Sequence, residues 1–178
     1  AIKFDLEGIR NAANLESLDL EDTGLSSLSG IGQASNLKLL RVDNNNFVSF
    51  PNEVFDLVNL EVLSLSNNDF SQEAVPNNLQ SLSAMTYFAC SGCGFTGPIP
   101  DWLGSMQNLQ YLKLSQNALT GNLPEVLETM MTLKHLDLSD QATFGLGLRG
   151  NLLAFATQTE LTELYLHHNN FQGVIPDT

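Results

Sequence analysis

Two sets of residues in this chain have types and spacings that chemistry can use. Cys90-Ser91-Gly92-Cys93 has the C-x-x-C spacing of thiol redox sites and of half a zinc site. The three histidines, His135, His167 and His168, stand within reach of Asp137, Ser139 and Asp140 if the chain folds back on itself at a regular interval. Imidazole with serine and carboxylate is the equipment of nucleophilic hydrolysis, and imidazole with carboxylate that of a transition-metal site. Whether either set acts depends on the elements that hold it, and those elements recur.

The pattern L-x-x-L-x-L-x-x-N-x-L runs along the chain. It reads Leu15-x-x-Leu18-x-Leu20, Leu37-x-x-Leu40-x-Val42-x-x-Asn45-x-Phe47, Leu60-x-x-Leu63-x-Leu65-x-x-Asn68-x-Phe70 and Met85-x-x-Phe88-x-Cys90-x-x-Cys93-x-Phe95. Leu109-x-x-Leu112-x-Leu114-x-x-Asn117-x-Leu119, Leu133-x-x-Leu136-x-Leu138-x-x-Gln141 and Leu161-x-x-Leu164-x-Leu166-x-x-Asn169-x-Phe171 follow. The units begin near residues 14, 36, 59, 84, 108, 132 and 160, in steps of 22, 23, 25, 24, 24 and 28. They are numbered coils 1 to 7 below, with the first residue of the pattern as position 1.

Positions 4 and 6 project to one side of a short strand, and position 1 reaches the same core. The Asn at position 9 turns inward, where its amide hydrogens satisfy backbone carbonyls at the strand's end. One coil cannot bury its apolar face alone, but stacked coils can. The expected fold is α/β, a right-handed leucine-rich-repeat solenoid. Its parallel sheet lines the concave face, and turns or short 3-10 or α segments line the convex face. The period assigns residues 1–178 to one domain of about seven repeats. The chain opens within a half-unit and stops just after a proline, so it is expected to be a fragment of a longer protein.

The second halves of the later units add a resemblance. Phe95-Thr96-Gly97-Pro98-Ile99-Pro100, Leu119-Thr120-Gly121-Asn122-Leu123-Pro124 and Phe171-Gln172-Gly173-Val174-Ile175-Pro176 resemble the L-T-G-x-I-P signature of plant-type leucine-rich repeats. Such repeats occur in plant receptor ectodomains and polygalacturonase-inhibiting proteins, and the match runs from about residue 84 on. Earlier, Leu6-Glu7-Gly8-Ile9 through Asn14-Leu15 recurs 22 residues later as Leu28-Ser29-Gly30-Ile31 through Asn36-Leu37. That spacing resembles the short repeats of bacterial internalin-like surface proteins.

In this register the chemical candidates look ordinary. Cys90 takes the inward position 6 and Cys93 the Asn position, with no further zinc ligands in register. Packed, reduced thiols are therefore expected, ahead of a local disulfide or a zinc or redox role. Ser139, Asp140, His167 and His168 occupy positions 7 and 8 of coils 6 and 7, on a solvated face with no oxyanion hole. No catalysis is expected. His135, Asp137, Asp140, His167 and His168 gather metal-ligand types loosely, and the expectation is a polar surface with no metal or cofactor.

Binding is the better use of the concave columns, since positions 3, 5, 7 and 8 point outward. Column 3 reads Ser17, Leu39, Val62, Tyr87, Tyr111, His135, Glu163, and column 5 reads Asp19, Arg41, Ser64, Ala89, Lys113, Asp137, Tyr165. The candidate binding residues are Val62, Tyr87, Tyr111, Lys113, His135, Asp137, Tyr165 and His167, with an acidic patch of Asp19, Glu21, Asp22 and Asp43. Tyrosines on a rigid sheet give contact area with little entropy to lose. Trp102 is expected to pack on the convex side over the next coil. The insertion in coil 6, residues 140–148, is expected to bulge where the strand exits.

The net charge of −13 makes nucleic acid and anionic membrane surfaces poor partners, and no run of residues approaches a membrane span. The expected role is a non-catalytic recognition module of a secreted or cell-surface protein, binding a protein or a glycan through its concave face. A structural, end-to-end self-associating segment and an inhibitor of a secreted hydrolase are the alternatives.

Overall fold

The structure is a computed structural model that describes residues 6, 9, 12, 14–141 and 146–172. Seven strands, Ser17–Asp19, Leu39–Arg41, Val62–Ser64, Tyr87–Ala89, Tyr111–Lys113, His135–Asp137 and Glu163–Tyr165, form one parallel sheet in chain order. Each pairs in register with the next, so that Tyr87 lies opposite Tyr111 and Tyr111 opposite His135. The strands are short because the repeat gives each coil only three extended residues before position 6 turns inward.

Between strands the chain crosses the convex side in 3-10 segments: Ile31–Gln33, Asn52–Asp56, Asn77–Ser81, Asp101–Ser105, Glu125–Thr129 and Leu152–Phe155. Pro51, Pro76, Pro100 and Pro124 each precede one, with extended backbone. A proline suits that place, because its fixed φ starts the turn and its missing N–H is not needed. Each of these four segments sends one apolar residue inward: Val54, Leu79, Leu103 and Leu127. Gly104 allows close approach, since a Cβ there would sit 2.7 Å from Cβ of Val126 on the next segment. Trp102 packs partly buried on this side, but its indole N–H donates to Asn77 Oδ1 at 2.9 Å. It therefore reaches back to the preceding coil.

The core is the stack of inward positions. Leu40, Leu63, Phe88, Leu112 and Leu136 at position 4 and Val42, Leu65, Cys90, Leu114 and Leu138 at position 6 are all buried. Phe50, Phe70 and Phe95 add an aromatic cluster, with ring centroids 5.5 Å apart for Phe50–Phe70 and 5.6 Å for Phe70–Phe95. A ladder of side-chain amides runs beside this stack. The Nδ2 of Asn45, Asn68, Asn117 and Asn169 and the Nε2 of Gln141 each donate to the position-6 carbonyls of their own and the preceding coil. Their oxygens accept backbone N–H groups of the preceding coil, such as Phe47, Phe95 and Leu119, so buried polar groups at the bend are satisfied.

Position 8 has its own signature. Asp22, Asn44, Asn67, Gly92, Gln116, Asp140 and His168 all adopt left-handed backbone, with φ between 53 and 65°. Asp, Asn, His and Gly tolerate this region, whereas Gln enters it at a cost.

Coil 4 corrects the expectation of reduced thiols. Cys90 and Cys93 form a disulfide, with Cα atoms 5.5 Å apart, and both residues are fully buried. The reason is geometric. Positions 6 and 9 both turn into the core, and the left-handed turn at Gly92 folds one back toward the other. With no amide at position 9, the Phe70 N–H donates to the Cys93 carbonyl at 2.7 Å instead.

Of the insertion at 140–148, residues 142–145 lie outside the described residues. On either side the chain is tied down, since Gln141 belongs to the amide ladder and Leu148–Arg149 pairs with Gly121–Asn122. Among the described residues, no helix is long and apolar enough to cross a membrane.

Candidate functional site

The pairing register turns column 3 into a row of rings across the concave sheet. Tyr87 and Tyr111 have centroids 5.9 Å apart, Tyr111 and His135 6.1 Å, and His135 and Tyr165 5.4 Å. The row steps to column 5 at its last member, because coil 7 carries Glu163 at position 3 and Tyr165 at position 5. Tyr111 and Tyr165 are exposed, at 39% and 42%, and Tyr87 is half-buried. Lys113 Nζ lies 5.9 Å from the Tyr87 centroid, close enough for a cation–π contact. Val62 stands beside Tyr87 at the other end of the row.

His135 is placed differently from a free surface group. Its Nδ1 is 2.7 Å from Glu163 Oε2, and the residue is only 9% exposed between its ring neighbours. Its Nε2 is buried without a hydrogen-bond partner. Glu163 also lies 3.4 Å from the Tyr165 hydroxyl, which donates to it. The carboxylate thus holds the C-terminal end of the row together. Glu163 was not among the candidate residues, although its place opposite His135 in column 3 was a readable signal.

The acidic patch is engaged within the fold. Asp43 Oδ1 accepts from the Ser64 hydroxyl at 2.6 Å and the Ser66 N–H at 2.8 Å. Asp19 caps the Glu21 N–H at 3.1 Å and faces Arg41 at 3.7 Å. Glu21 accepts from the Asn44 amide at 3.0 Å, and Asp22 supplies a left-handed turn. These acids therefore stabilise strand exits as well as charging the surface.

Position 7 is likewise occupied with itself. The Ser91 N–H donates to Ser66 Oγ at 3.2 Å, and the Ser115 hydroxyl to Ser91 Oγ at 2.9 Å. The Ser139 hydroxyl donates to Asp137 Oδ1 at 2.7 Å, so it meets a carboxylate and no imidazole. His167 and His168 converge on Asp140: His167 Nε2 is 3.5 Å from Oδ2, and His168 Nδ1 bonds to Oδ1. The bond from His168 holds the Asp140 carboxyl below the ordinary aspartate value, against an opposing effect of desolvation. Of the five metal-ligand residues read in the sequence, the fold thus gathers three, and it commits His135 to Glu163 and Asp137 to Ser139.

A family model described as a leucine-rich repeat region matches residues 7–168, and a second, leucine rich repeat, matches residues 160–178. The chain belongs to the leucine-rich repeat family. This leucine-rich repeat chain is 29% identical over 176 residues to the receptor-like kinase TMK2 of Arabidopsis thaliana, covering 97% of itself and 20% of the kinase. It spans about a fifth of that relative's length. Among solved structures, it is similar to the ectodomain of the Arabidopsis plant membrane receptor kinase GASSHO1/SCHENGEN3, in complex with Casparian strip integrity factor 2. The TM-score is 0.81 at 25% identity, over 98% of this chain and 24% of that one. A leucine-rich repeat protein of Leptospira interrogans matches at a TM-score of 0.79 and 29% identity, over 93% of this chain and 40% of its own.

Proposed function

We propose that the chain is a non-catalytic recognition module of a secreted or cell-surface protein, binding an extended peptide segment of a protein partner along its concave face. The observation that carries this reading is the unbroken row Tyr87, Tyr111, His135 and Tyr165. Three strand spacings of about 4.8 Å make the row about 14 Å long, the reach of roughly four extended residues. The rings stand on paired strands, so binding orders little that is not already ordered. The net charge of −13 favours a segment carrying basic residues. The integrity factor bound to the GASSHO1/SCHENGEN3 ectodomain supports a ligand-binding role for arrays of this kind.

Selection of a displayed random-peptide library on the immobilised chain tests the proposal. Peptides recovered on the wild-type chain should lose at least tenfold in affinity on Tyr87→Ala/Tyr111→Ala, and should be enriched in Lys and Arg. Selected peptides indifferent to the double substitution would place recognition elsewhere.

A further inference from the structure

Asp140, His167 and His168 meet where the strands of coils 6 and 7 exit, apart from the aromatic row. One ligand atom from each can be chosen so that all three lie within 4.8 Å of one another. Around a tetrahedral ion with ligands at about 2.1 Å, neighbouring ligand atoms stand roughly 3.4 Å apart. His167 Nε2 and Asp140 Oδ2 are already separated by 3.5 Å. His168 Nδ1 lies closer, hydrogen-bonded to Asp140 Oδ1, and its exposed ring would have to draw back to admit an ion.

The backbone makes this convergence possible. Within the strand Glu163–Tyr165 consecutive side chains alternate between faces, and His167 and His168 lie beyond its end, at positions 7 and 8. The left-handed turn at His168, with φ of 53°, breaks that alternation. The two rings come to lie 5.1 Å apart at 77° to each other, both against the one carboxylate. Asp140 takes the same left-handed turn in the coil before. The side chains of His167, His168 and Asp140 are 54%, 73% and 33% exposed, so an ion has an open path and would keep coordination positions free.

We propose that Asp140, His167 and His168 form a binding site for a divalent transition-metal ion of the zinc, copper and nickel class. Two imidazoles and one carboxylate suit these ions, and calcium and magnesium prefer all-oxygen sets. The free positions take water, or a side chain of a partner that the ion would bridge to this face.

The fold supplies its own control for the test. Asn44 and Asn67 hold position 8 of coils 2 and 3 at φ of 54 and 57°, the same turn that Asp140 and His168 make. His168→Asn and Asp140→Asn therefore put a residue the turn favours in place of a ligand. Calorimetric titration of the whole chain with zinc should show one equivalent bound, with a dissociation constant in the micromolar range. Each variant should lose at least tenfold in affinity while keeping the circular dichroism spectrum of the folded wild-type chain, and magnesium should give no comparable binding. No heat with millimolar zinc, undiminished affinity in both variants, or equal binding of magnesium would each overturn the assignment.

Discussion

Asn117 carries the heaviest duty in the amide ladder, and its removal should be felt in proportion. Its Nδ2 donates to the carbonyls of Cys90, Leu114 and Ser115 at 2.8, 2.8 and 3.2 Å, and its Oδ1 accepts from the Cys93 and Phe95 N–H groups at 3.1 and 3.0 Å. Leu114 and Ser115 keep other donors, Gln141 Nε2 and the Gly92 N–H. Among the described residues, the Cys93 and Phe95 N–H groups have no other acceptor. Each buried group left unpaired costs about 1–3 kcal/mol, so with two of them Asn117→Ala should destabilise the chain by about 2–6 kcal/mol. Asn68 is the internal comparison, because its oxygen accepts only the Phe47 N–H at 3.3 Å. Asn68→Ala should accordingly cost less, about 1–3 kcal/mol. Urea unfolding followed by circular dichroism measures both, as shifts in midpoint at constant slope. A loss under about 1 kcal/mol for Asn117→Ala, or a larger loss for Asn68→Ala, would refute the accounting of orphaned groups.

Three other outcomes are expected. Gln116→Asn should raise stability by about 0.5–1 kcal/mol in the same assay, since Asn adopts the left-handed turn more readily than Gln. Iodoacetamide should leave Cys90 and Cys93 unlabelled even in denaturant, and should modify both only after a reductant is added, as read by intact mass. Carbon NMR of the carboxyls should place the Asp140 titration below the ordinary aspartate value, and His168→Ala should move it upward. Because the folded value is depressed, the stability Asp140 contributes is present above the ordinary 3.8 and is lost as pH falls through the folded value.

The stacking frame was legible because it rests on apolar residues at fixed spacing, and burial follows that spacing whatever fills the other positions. Leu63, Phe88 and Leu112 could be placed in one layer before any coordinate was known, and the columns of the sheet follow from the same count. Pairings that cross one strand spacing, such as His135 with Glu163, were present in those columns as well. The disulfide was not legible, since inward-facing cysteines at positions 6 and 9 suit reduced packing equally well until the turn at Gly92 brings them together. Asp140, His167 and His168 could be read as neighbours from positions 7 and 8, but the left-handed turns that set both rings against one carboxylate could not. The acidic patch of Asp19, Glu21, Asp22 and Asp43 could be read from the columns but its bonds could not, because nothing in the types of Asp19 and Asp43 shows that Glu21, Ser64 and Ser66 will bond to them.

The substitution at Cys93 leaves the third and fourth coils as the pair of neighbours with no side-chain amide bridging their bends among the described residues. Asn45, Asn68, Asn117, Gln141 and Asn169 span the other junctions, whereas the disulfide ties coil 4 only to itself. The backbone ladder and the Phe70–Phe95 contact still cross this junction. In a molecule whose cooperativity passes only between nearest neighbours, such a seam sets the grain along which it comes apart. It falls where the L-T-G-x-I-P style begins, near residue 84. Amides flanking the seam, between coils 1 to 3 and coils 4 to 7, are expected to exchange with solvent before those in the interior of either block.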